Sequence, residues 1–155
     1  MSKRSAHKPL VLATGYETSI ARTVIAAGLV VVGIIWIAVY VNVAKDAAIF
    51  AGVGKKPSNP LPFMADLGKW NYLIGFGLIF VGLVAAANKK TPLGRGRGVV
   101  VGMLGCFLIG LVWIVLYYFT GSDSAIPVMK DLDQYNLLVG IGFMAVGFSF
   151  ATKWE

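Results

Sequence analysis

Four long stretches of this chain carry no charged side chain: residues 23–43, 70–87, 98–119 and 135–152. About 20 mostly apolar residues, within a range of roughly 17 to 25, cross the hydrocarbon core of a bilayer. All four stretches qualify, the second and fourth only narrowly. Lipid offers backbone N–H and C=O groups no partner, so a spanning segment must satisfy them within itself as an α-helix. Glycines inside these stretches would weaken a helix in water but are common in membrane helices. Hydrophobic residues make up 57% of the chain and charged ones 14%, a balance foreign to a soluble domain of 155 residues. The sequence thus predicts an all-α integral membrane protein with four transmembrane helices. The first stretch is longer than the apolar core of a secretory signal, about 7 to 15 residues, and reads as an uncleaved signal anchor.

The second half of the chain repeats the first. Residues 62–82 (PFMADLGKWNYLIGFGLIFVG) and 127–147 (PVMKDLDQYNLLVGIGFMAVG) share ten of 21 positions at an offset of 65. The matches include Pro62/Pro127, Asp66/Asp131, Asn71/Asn136 and the glycines 75/140, 77/142 and 82/147, which apolar bias alone does not produce. A fainter echo lies upstream: Gly28, Gly33, Trp36, Ile37 and Tyr40 match Gly105, Gly110, Trp113, Ile114 and Tyr117 at an offset of 77. The 12-residue difference between the offsets is extra chain in the first connecting loop, around the prolines Pro57 and Pro60. One unit, a two-helix hairpin, is used twice.

Basic residues orient the hairpins. The arm 1–22 holds Lys3, Arg4, Lys8 and Arg22 against Glu17, and the loop 89–97 holds Lys89, Lys90, Arg95 and Arg97 with no acid. The loop after the third stretch has Lys130 against Asp123, Asp131 and Asp133. Positive-inside bias places the arm, the middle loop and the C-terminus in the cytoplasm. The arm carries +3 and the middle loop +4, while the outer loops carry +2 and −2, so the formal net charge of +7 resides on one side. The two units, 23–88 and 98–155, then enter the membrane in the same orientation and are parallel repeats. The basic residues attract anionic lipid headgroups. The single arginine-glycine run 94–98 has no interleaved aromatics, which argues against nucleic acid.

Gly75, Gly77, Gly82 and Ala86, with Gly140, Gly142, Gly147 and Ala151, are candidate helix-packing positions, as are Gly98 and Gly102. Small residues four apart let helix backbones approach closely, either within the bundle or against a partner helix. Trp36/Tyr40 and Trp113/Tyr117, with Trp70, Tyr135 and Trp154, suit anchoring at the headgroup level. Cys106 is a lone thiol that suits apolar packing. Asn71 and Asn136 suit helix N-caps. The segments before them mix apolar residues with a repeated acid and read as surface-lying pieces that a partner could contact. Asp66, Leu67, Trp70 and Asn71, with Asp131, Leu132, Tyr135 and Asn136, are the candidate partner interface. No Asp, Glu, Lys, Arg or His lies within a stretch, where ion-coupled transport usually requires one. No nucleophile–base pair, metal-ligand cluster or phosphate-cradling loop is visible, so no catalytic, metal or cofactor residue is assigned and no enzyme activity is expected.

The run 64–72 (MADLGKWNY) leading into a glycine-bearing stretch resembles the CrgA family of actinobacterial cell-division membrane proteins, as do the basic arm and Gly33-Ile34-Ile35-Trp36. The second copy keeps Met129, Asp131, Leu132 and Asn136 but has Asp133-Gln134-Tyr135 where the family motif has Gly, any residue and Trp. The resemblance implies a non-enzymatic protein of the division septum that coordinates divisome membrane proteins, the tubulin-like GTPase FtsZ and septal peptidoglycan synthesis. The family unit has two spans, and this chain would hold it in tandem, leaving self-association open. The alternative is a small four-helix transporter or channel.

Overall fold

The computed structural model describes residues 18–44, 61–121 and 125–153. Lys3, Arg4 and Lys8 of the basic arm, the 12 extra residues of the first loop and Trp154 lie outside them. All regular structure among the described residues is helical: α1 (Ile20–Val39) continued by a π-helical turn (Tyr40–Ala44), α2 (Pro62–Leu67), α3 (Trp70–Ala86), α4 (Arg97–Thr120), α5 (Pro127–Leu132), a 3-10 turn (Asp133–Tyr135) and α6 (Asn136–Ala151). Three helical stretches, Ile20–Asn42, Arg97–Thr120 and Pro127–Ala151, are long and apolar enough to cross a membrane. The fourth, α3, is shorter at 17 residues.

Local chemistry sets the helix ends. Ser19 caps α1, its hydroxyl oxygen accepting the Arg22 N–H at 3.5 Å, which starts the helix three residues before the uncharged stretch. Pro127 opens α5, where a fixed φ and a missing N–H carry no penalty. Thr91 organises the loop between α3 and α4. Its hydroxyl lies against the Ala86 and Asn88 carbonyls and accepts the Gly94 N–H at 3.2 Å. That satisfies carbonyls left open at the end of α3.

α1 packs along α3, and α4 packs along α6. In each pair a glycine brings backbone against backbone. A Cβ on Gly33 would lie 2.6 Å from the Gly75 carbonyl oxygen, and one on Gly110 would lie 2.5 Å from that of Gly140. Ile37 and Ile114 cover Gly75 and Gly140 from the facing helix. Contacts this close supply the van der Waals packing on which helix association in lipid depends. The two pairs meet through α3 and α6, where Phe76, Val139 and Phe143 share one buried cluster, and Phe80 and Leu83 reach a second that holds Cys106 and Phe150.

The basic loop sits at one end of the bundle. The Ser19 N–H donates to the Lys90 carbonyl at 2.9 Å, bringing the start of α1 against it. The ring of Phe150, near the end of α6, fills the space over Gly102, near the start of α4. The short helices α2 and α5 close the opposite end.

Candidate interaction site

Each short helix is locked to the long helix that follows it by one asparagine. The side-chain N–H groups of Asn71 donate to the Met64 carbonyl at 2.7 Å and the Gly68 carbonyl at 2.9 Å. Those of Asn136 donate to the Met129 and Asp133 carbonyls at 2.6 and 2.7 Å. Both asparagines are fully buried. This corrects the expectation that they are N-caps. An N-cap oxygen accepts a helical N–H, whereas these side chains donate backward to carbonyls that α2 and α5 leave open at their C-termini. The N-cap positions belong to Lys69 and Tyr135, neither of which caps through its side chain. The methionines 64 and 129 complete the clasps from inside, both buried.

The chain turns between short and long helix. It does so through a positive φ, 51° at Gly68 and 46° at Asp133. Glycine adopts that conformation freely, and an aspartate does not.

A hydrogen bond joins the two clasps. The Tyr72 hydroxyl donates to Asp131 Oδ2 at 2.6 Å, with the Tyr40 ring edge-on to that of Tyr72 at 5.1 Å. At the counterpart of Tyr72 stands Leu137, so no reciprocal bond to Asp66 can form. Asp66 is exposed.

The eight candidate interface residues therefore separate by exposure. Asp66, Trp70 (66% exposed) and Tyr135 (49%) face outward. Leu67 and Asp131 are half-buried, and Leu132, Asn71 and Asn136 are buried. Trp36 and Trp113, expected as anchors, turn to rings of other helices, Phe63 at 6.2 Å and Phe76 at 5.7 Å.

The candidate packing residues also divide. Gly75 and Gly140 lie in the close contacts already described, while Gly82 faces the Ala26 carbonyl and Gly147 faces Met103 and Phe107. Gly142 lies against the Phe80 ring, but Gly77 faces open space. Gly98 and Gly102 do not form one stripe, since Gly98 packs on the Pro92 backbone and Gly102 on the Phe150 ring. Ala86 and Ala151 are half-buried. The most intimate partners, Gly33 and Gly110, were missing from the candidates although the upstream echo contains both. At the other end Lys89, Lys90, Arg95 and Arg97 are all exposed. Among the described residues no three His, Cys, Asp or Glu side chains come together as a metal ion would require.

The family model for "Cell division protein CrgA" matches the chain twice, over residues 3–90 and 85–155. The cell division protein CrgA of Streptomyces avermitilis is 46% identical over 70 residues, 45% of this chain and 77% of its own length. The CrgA of Corynebacterium aurimucosum is 31% identical over 76 residues, 46% of this chain and 81% of its own. That of Corynebacterium glutamicum strain R is 35% identical over 83 residues, 54% of this chain and 77% of its own. No solved structure matches the chain.

Proposed function

The chain belongs to the CrgA family of cell division proteins, and from that premise we propose that it is a non-enzymatic scaffold of the division septum, held in the plasma membrane. In this reading it holds two parallel copies of a two-span unit, 23–88 and 98–155, with α3 and α6, at 17 and 16 residues, as the two shorter of four spans. Seventeen residues stand at the lower limit of the roughly 17 to 25 that suffice. Arg22, Lys89, Lys90, Arg95 and Arg97 put the loop end of the bundle in the cytoplasm together with the arm and the C-terminus. Anionic lipid there attracts each basic residue by about 1 kcal/mol.

The observation that carries the scaffold reading is the pair of asparagine clasps. They tie α2 and α5 to the outer ends of α3 and α6, so that Asp66 on α2, Trp70 at the start of α3 and Tyr135 beside α5 are presented at fixed positions. Divisome membrane proteins dock there, and cytoplasmic components such as FtsZ meet the basic arm and loop. Expressed as a fluorescent fusion, the protein concentrates at midcell. The pair Asp66→Ala and Trp70→Ala inserts normally but recovers several-fold less partner protein after crosslinking. An even distribution round the cell, or undiminished recovery by that pair, would sink the scaffold reading.

A further inference from the structure

Where the two halves meet, the bundle leaves a half-open groove of about 510 Å³ between α3 and α6, within the ~300–1,000 Å³ range of ligand sites. Leu73, Phe76, Gly77 and Phe80 form one wall, and Leu138 and Val139 the other. Lys69, Trp70 and Tyr135 stand at its mouth. Lys69 is the one charged residue of the lining; Asp66, Asp131 and Asp133 are not part of it. Gly77 gives the groove its depth. A Cβ there would meet nothing within 4 Å, whereas one on its counterpart Gly142 would strike the Phe80 ring. The space that protein fills beside α6 is open beside α3.

We propose that this groove holds one acyl chain of an anionic phospholipid, with the lipid phosphate on the Lys69 ammonium at the end of the bundle opposite the basic loop. The proposal rests on reading α3 and α6 as membrane-spanning, and its site is distinct from the lipid contact of the basic loop. The lining has the polarity of an amphiphile: a long apolar wall below, a single cation above. Lysine binds phosphate as a point charge, its alkyl stem lies along apolar surface, and the Trp70 and Tyr135 rings suit the headgroup level between the two. An apolar partner helix would cover the wall and leave Lys69 unanswered.

Native mass spectrometry of the full chain released from nanodiscs reads this directly, with dioleoylphosphatidylglycerol and dioleoylphosphatidylcholine in equal parts. One phosphatidylglycerol per chain is expected to remain, favoured roughly fivefold over phosphatidylcholine, the ratio one lysine at a lipid surface gives. Gly77→Leu, whose Cβ meets no protein atom within 4 Å, projects into the open groove and is expected to abolish retention of both lipids, with circular dichroism unchanged. Lys69→Gln keeps the bound lipid and loses the preference. The double variant Lys89→Gln with Lys90→Gln alters neither. Retention that survives Gly77→Leu, or that fails instead in the lysine pair, overturns the proposal. So does a dimer mass that Gly77→Leu abolishes, which would make a second copy the occupant. A chain that never enters nanodiscs would overturn the membrane reading itself, whereas one that enters and retains no lipid overturns this proposal alone.

Discussion

Asp133 holds φ 46° and ψ −127°, a conformation that costs a side-chain-bearing residue about 1–3 kcal/mol. Its counterpart Gly68 turns the chain in the same sense with no Cβ. Asp133→Gly is therefore expected to stabilise the protein by about 1 kcal/mol, after allowing roughly 0.5–1 kcal/mol for the looser unfolded chain. The midpoint of denaturant unfolding in detergent measures it. A lowered midpoint would mean that the aspartate makes a contact worth more than its strain. The sequence shows this exchange as a break in the repeated motif, but residue identity carries no φ, so the strain was not legible. The asparagines were legible as constrained and wrongly assigned. Capping and backward donation differ by where the helix starts, and one or two residues decide it. Asn71 and Asn136 fall just inside the first turn, so their N–H groups rather than their oxygens are used.

Among the helices, position on a face determines what a glycine does. Gly140 lies under Ile114 and the Gly110 backbone, so Gly140→Leu would push α4 from α6. Overpacking of this kind typically costs about 1–3 kcal/mol. Gly105→Leu, on the same helix pair but with nothing near its Cβ, is expected to stay within about 0.5 kcal/mol of the parent. Thermal melting of the two variants in detergent separates them, and equal melting temperatures would refute the close-packing account. The long helices follow from the absence of charge, which is a property of each segment alone. Their contacts do not, because spacing places two glycines on one face without saying what faces them. Gly98 and Gly102 have the spacing of a helix-packing pair yet meet a loop and a phenylalanine ring. The better clue was the upstream echo, since Gly33/Gly110 and Ile37/Ile114 are the residues that touch Gly75 and Gly140.

Across the whole molecule the halves are joined by the first half's aromatic residues. Tyr72 bonds Asp131, Phe76 meets Trp113 edge-on at 5.7 Å, and Phe80 meets Phe143 edge-on at 5.1 Å. These residues stand four apart on α3 and so share one face. Their counterparts at the offset of 65 are Leu137, Ile141 and Ala145, which could form none of these contacts. A comparison that looks for matches between the halves passes over this stripe, because it consists of mismatches. The junction is thus directional, and a second copy of the first half put in place of the second half would lose one partner of the stripe: Asp66 and Trp36 would stand where Asp131 and Trp113 do, but Leu78 would stand where Phe143 does. The consequence is measurable. Tyr72→Leu, Phe76→Ile and Phe80→Ala together give α3 the second half's residues and remove one hydrogen bond and two aromatic pairs from the junction between the halves, along with the Tyr40–Tyr72 and Phe76–Phe80 contacts inside the first half. At about 0.5–1.5 kcal/mol per aromatic pair and about 0.6 kcal/mol for a hydrogen bond in a membrane protein, the halves lose roughly 2–4 kcal/mol of attachment. The Gly33–Gly75 and Gly110–Gly140 contacts, which use none of the substituted side chains, keep each helix pair together. Spin labels on α1 and α4 should then report a broadened distance between the halves, while labels on α1 and α3 report an unchanged one. An unchanged distance between the halves would show that the connecting loop, locked by Thr91 and the Ser19–Lys90 bond, sets their arrangement without the aromatic stripe.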